Sequence, residues 1–143
     1  MALEVRWYLV IVSLLLVAVV GCGGPGLYSG ALYPTTGQVL LADGHPLTGG
    51  SVRFIPKRSG LPATGKIAAD GTFSLTTKTR EGAAPGEYKV RIEPSPEMVS
   101  KKGRASKKLP FAARYRNYEG DTGLTATVEA GPTRLEPFRL DAK

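Results

Sequence analysis

The chain is 143 residues long and carries a formal net charge of +7, with 18 glycines, 11 prolines, one cysteine and one histidine. That length holds one ordinary domain, large enough to bury a core without a metal or a disulfide. One cysteine excludes an intrachain disulfide, and one histidine without further thiols excludes the common zinc sites; the charge bears on solubility and attraction to polyanions, not on fold. The first element in chain order is apolar. Met1 to Arg6 is a short polar head in which Glu4 partly offsets Arg6, and Trp7 to Val20 is apolar except for Ser13. Such a run is at the upper end for an export-signal core and short for a spanning helix, which needs about 20 apolar residues. It ends in Val19-Val20-Gly21-Cys22, small and aliphatic residues ahead of the lone cysteine. Gly23 to Gly30 then has glycine at four of eight positions and no periodicity, as a flexible tether does.

From Thr35 onward the pattern is that of short strands between turns. Gln38-Val39-Leu40-Leu41 runs into Ala42-Asp43-Gly44-His45-Pro46-Leu47, where Asp-Gly supplies a positive-φ position and Pro46 is expected to end the ladder. Ser51 to Pro56 alternates, with Val52 and Phe54 on one face. Thr64 to Ala69, Asp70-Gly71 and Thr72 to Thr76 read as a hairpin with Phe73 and Leu75 inward. Gly86 to Glu93 is the cleanest strand, placing Tyr88, Val90 and Ile92 inside and charges outside. Leu124, Ala126 and Val128 repeat that alternation; Phe138 and Leu140 close the domain, with Leu135 out of phase and Pro137 at a bulge or strand start. The expected fold class is all-β: a β-sandwich of seven to eight strands, preceded by an N-terminal signal helix.

Two resemblances follow from these residues. Val19-Val20-Gly21-Cys22 resembles the lipobox of bacterial lipoproteins, which implies cleavage between Gly21 and Cys22 and lipidation of Cys22 through its thiol, often with a further acyl chain on the new amine. An uncleaved signal anchor and plain secretion are the alternatives. Gly23 stands where an inner-membrane retention signal would place aspartate, which by analogy leans towards an outer membrane. Thr36-Gly37-Gln38-Val39, Asp43-Gly44-His45-Pro46-Leu47 and Gly50-Ser51-Val52-Arg53-Phe54 resemble the opening of carboxypeptidase regulatory-like and transthyretin-like domains. Ala69 to Phe73 is similar to their next hairpin and Pro85 to Val90 to their "PGxYxV" strand. Pro110 to Tyr115 followed by Gly123 to Val128 is similar to an ending common in small lipoproteins of planctomycete-type bacteria. The resemblance implies a transthyretin-like or immunoglobulin-like sandwich over residues 35–143, behind a signal peptide at 1–21 and a lipidated, tethered segment at 22–34. It implies little about activity, because the shared glycines, prolines and aspartates serve turns.

Weighed for chemistry, the residues favour a noncatalytic protein without cofactor or metal. His45 sits in a turn beside Pro46 with no partner thiol, and the chain lacks nucleophile-elbow, zinc-protease and phosphate-loop patterns. The histidine- and arginine-lined site of the transthyretin-like hydroxyisourate hydrolases has no counterpart in a chain ending Leu140-Asp141-Ala142-Lys143. The two Ala-Asp-Gly tripeptides read as turns rather than calcium loops, since carboxylates at alternate positions are missing. Residues 95–109 form an expected exposed loop in which Lys101, Lys102, Arg104, Lys107 and Lys108 cluster with no acid after Glu97. Its plain reading is a solvated insertion; its sharper one is a polyanion contact with anionic lipid or an acidic envelope polymer. Nucleic acid is not an expected partner, as aromatic residues do not interleave the charges. Tyr115 and Tyr118 read either as pins holding a loop to the sandwich or as a carbohydrate platform. The expected function is a lipid-anchored binding or structural module of the cell envelope. The alternatives are an accessory subunit docking on a partner enzyme or secretion assembly, and a carbohydrate-binding module.

Overall fold

The computed structural model describes residues 30–99 and 109–142. The apolar run at 7–20, Gly21, Cys22 and the five cations of the 95–109 loop lie outside the described residues. Among the described residues no helix is long and apolar enough to cross a membrane.

Among the described residues ten strand segments form two sheets: β1 (Thr35–Leu41), β2 (Ser51–Pro56), β3 (Ala63–Lys66), β4 (Thr72–Ser74), β5 (Thr76–Thr77), β6 (Arg80–Glu81), β7 (Gly86–Glu93), β8 (Thr125–Val128), β9 (Thr133–Arg134) and β10 (Phe138–Leu140). One sheet has the order β10-β1-β4, with β9 also on β1; the other has the order β6-β5-β3-β2-β7-β8. The molecule is therefore an all-β sandwich, and seven of its strands span three residues or more. A short helix α1 (Pro96–Val99) follows β7, inside the segment expected to be loop throughout, and a 3-10 turn η1 (Ala113–Arg116) precedes β8.

Alternation builds both faces. Val52 and Phe54 of β2 and Tyr88, Val90 and Ile92 of β7 are buried on one side of the larger sheet, as their period-2 spacing requires. Phe54 bridges the two sheets. Its ring lies 6.0 Å from Phe73 of β4 and 6.1 Å from Phe138 of β10, both in the opposite sheet, and 5.8 Å from Tyr88 beside it. Leu124, Ala126 and Leu135 are partly buried against this core.

The expected hairpin around Asp70-Gly71 needs correction. Its turn chemistry is present: the Asp70 carboxylate accepts from the Thr72 amide at 3.0 Å and the Thr72 hydroxyl at 2.6 Å, and Gly71 has φ +78°. The flanking strands, however, belong to different sheets. β3 pairs with β2, whereas β4 pairs with β1. The chain changes sheet at Leu75, whose amide bonds Thr35 O in one sheet while Thr76 pairs with Thr64 in the other. Small inward residues permit the crossing, for a Cβ at Gly65 would stand 2.7 Å from the carbonyl oxygen of Ser74. Pro46 likewise does not end its ladder. It forms a bridge with Leu40, and the Leu47 amide still reaches Val39 O at 3.0 Å. Lacking an N–H, a proline interrupts pairing only where that N–H would face the partner strand.

Candidate functional site

The outward face of the larger sheet is charged because its strands alternate. With Tyr88, Val90 and Ile92 inward, Lys89, Arg91 and Glu93 must point out, and the β2 register sets Arg53 opposite Arg91. Two like charges directly opposite each other repel. Glu93 relieves this by serving both: Arg91 Nη2 donates to Glu93 Oε1, and Arg53 Nη1 stands 3.6 Å from the same oxygen. Ser51 Oγ approaches Glu93 Oε2 at 3.5 Å. Burial pushes the Glu93 carboxyl up, but the hydrogen bond and charge of Arg91, with the charge of Arg53, outweigh it and hold the group below its ordinary value. One carboxylate between two guanidinium groups leaves the cluster with an excess positive charge.

Arg91 is only 3% exposed although it points away from the core. Tyr118 covers it: the phenol ring lies over the guanidinium, 3.4 Å from the guanidinium carbon to the ring centroid. Arg91 Nε is buried without a hydrogen-bond partner among the described residues. Tyr118 itself is 73% exposed. On one side of it lies a recess of about 490 Å³ lined by Arg53, Arg58, Arg91, Ile55 and Ser59 among others, with no carboxylate in the lining. Tyr118 also lines a larger recess of about 740 Å³, to which Glu93, Val99, Arg114, Arg116 and Glu119 contribute.

Tyr115 and Tyr118 differ in placement. Tyr115 is buried, and its hydroxyl donates to Asp141 Oδ2 at 3.1 Å while accepting from Arg114 Nη2 at 2.9 Å and the Asp141 amide at 3.1 Å. It pins η1 to the end of β10. Tyr118 is the one presented outward, carried by a turn in which Asn117 Oδ1 accepts from the Glu119 amide at 3.1 Å.

His45 is exposed, its Nδ1 3.2 Å from Asp43 Oδ2, and the Asp43 carboxylate also accepts from the His45 amide. The carboxylates of Asp43 and Asp70 are thus engaged in their own turns. Among the described residues no three His, Cys, Asp or Glu side chains gather as a metal site would require. Gly21, Cys22, Lys101, Lys102, Arg104, Lys107 and Lys108 lie outside the described residues, so none of them is brought into this site. The cluster of Arg53, Arg58, Arg91 and Glu93 was not singled out from the sequence. Alternation marks three of these residues as outward, but only the β2–β7 register sets the two arginines side by side.

No protein-family model matches the chain, and no match is found among curated proteins or solved structures.

Proposed function

We propose that this protein is exported, is held on a bacterial membrane by lipid on Cys22, and uses its sandwich as a noncatalytic binding module of the cell envelope, carboxypeptidase regulatory-like or transthyretin-like in kind. The observation that carries the binding role is the recess beside Tyr118. Its polar lining is dominated by guanidinium groups, which stay protonated and hold anions but serve poorly as nucleophiles or general bases. The export and anchoring role rests on the apolar run and Val19-Val20-Gly21-Cys22. Two or three acyl chains, at about 0.8 kcal/mol per buried methylene, give stable anchorage where a single chain is marginal. Lys101, Lys102, Arg104, Lys107 and Lys108 add a candidate contact with an anionic surface.

A docking subunit needs a broad apolar surface, and the exposed large apolar side chains among the described residues are Val99 and Tyr118. The binding-module reading is therefore preferred. Intact mass after expression in a bacterial host tests the anchor, with wild type beside Cys22→Ser. The expected result is a species beginning at Cys22 with acyl mass added, lost in the variant. A full-length unmodified mass for the wild type would refute the lipid anchor.

A further inference from the structure

The geometry points to an acidic polysaccharide, a chain whose sugar rings carry carboxylates, as the ligand of the outer face of the larger sheet. This deepens the binding-module reading above and rests on it. Three features of one surface converge on that chemistry.

The first is charge. Arg53, Arg58 and Arg91 line the recess beside Tyr118 with no acid among the lining residues, and the Glu93 carboxylate is already shared by Arg53 and Arg91. Arg58 is exposed, and Arg53 is partly so. A guanidinium presents a planar fork of donors that matches a planar carboxylate at two points. The second is the ring. Tyr118 is backed by the Arg91 guanidinium on one face and remains largely open to solvent, so a sugar can stack on it within reach of the arginines. The backing holds the ring in place, so less side-chain freedom is lost on binding. The third is the surround. Thr64 lies in register with Arg53, Thr125 with Lys89 and Thr127 with Glu87, so exposed hydroxyls alternate with charges on this face. Hydroxyls both donate and accept, as a polyol ligand requires.

The recess, about 490 Å³, falls within the range of about 300–1,000 Å³ typical of small-ligand sites. It is open at the surface, and Tyr118 lines both it and the larger recess, which suits an extended chain stacked on that ring rather than an isolated small molecule. A lipid surface fits less well. Insertion calls for several apolar side chains, and Val99 and Tyr118 are the large exposed ones among the described residues.

The test uses the full-length chain in neutral detergent, with polygalacturonate as the probe and uncharged dextran beside it. Saturable binding of polygalacturonate, weakened by added salt and absent for dextran, is expected. Tyr118→Ala and Arg58→Gln, both at exposed positions, are each expected to weaken it about tenfold or more. Their urea midpoints should stay close to wild type, which separates lost binding from lost folding. Absence of polygalacturonate binding would overturn the proposal, as would unchanged affinity in both variants. It would also be overturned if replacing the five cations between 101 and 108 by Gln abolished binding while Tyr118→Ala did not. Where polygalacturonate does not bind, flotation with phosphatidylglycerol vesicles well above that with phosphatidylcholine vesicles would assign the surface to anionic lipid instead. The acyl anchor contributes equally to both vesicle types, so that comparison isolates charge. None of these results alters the mass of the Cys22 species, so failure here is distinct from failure of the anchor.

Discussion

Glu93 is the residue on which the outward face depends. It neutralises a guanidinium that is 3% exposed and approaches a second one on the neighbouring strand. Because the carboxyl is held below its ordinary value in the folded chain, its contribution to stability is present above the unfolded-state value. That contribution is lost as pH falls through the lowered one. Urea midpoints of the wild type should therefore fall between about pH 6 and pH 3, and Glu93→Gln should flatten part of that slope. A residual slope is expected from Asp70, held low by the hydroxyl and amide of Thr72, and from Asp43, held low by the His45 amide. An identical pH profile in Glu93→Gln would contradict the role assigned to this carboxylate. Glu93 was legible as an outward charge on an alternating strand, but its shared use by two arginines was not, since that depends on which strand lies alongside.

At the scale of elements, the crossing between sheets is the feature most sensitive to size. β3 and β4 approach so closely at Gly65 that one added methyl group meets the carbonyl of Ser74, a backbone atom with no alternative rotamer. Gly65→Ala is expected to lower stability by about 1–3 kcal/mol, as overpacking does, measured by denaturant unfolding. A neutral result would mean that β3 can move away from β4 at no cost. The strand Thr72 to Thr76 was legible in the sequence by its alternation, and so was the Asp70-Gly71 turn. Its division at Leu75 between two sheets was not. Alternation reports which face of a strand is buried, and a strand that changes sheets keeps the same inward residues throughout.

For the molecule as a whole, one aromatic cluster joins the two layers. Phe54 touches rings from both sheets, and Phe73 and Phe138 stack on each other at 6.1 Å between centroids. Neither sheet has a separate core to fall back on, so unfolding should be a single cooperative transition. Phe54→Ala is expected to cost about 3–5 kcal/mol and to shift that transition as one. Two separated transitions in near-UV and far-UV circular dichroism would show instead that the layers unfold independently.

The sequence by itself determined the all-β class, the bounds of β2 and β7, the inward residues of those two strands and the turns at Asp43-Gly44 and Asp70-Gly71. These follow from local rules, namely the period of two along a strand and the backbone conformations open to glycine and aspartate. Only the tertiary structure decided which strands are neighbours: β1 parallel to β10, β4 set apart from β3, and Arg53 opposite Arg91 under Tyr118. Pairing partners are chosen by closure of a shared core among residues distant in the chain. A surface formed across several strands therefore exists only once that core has closed.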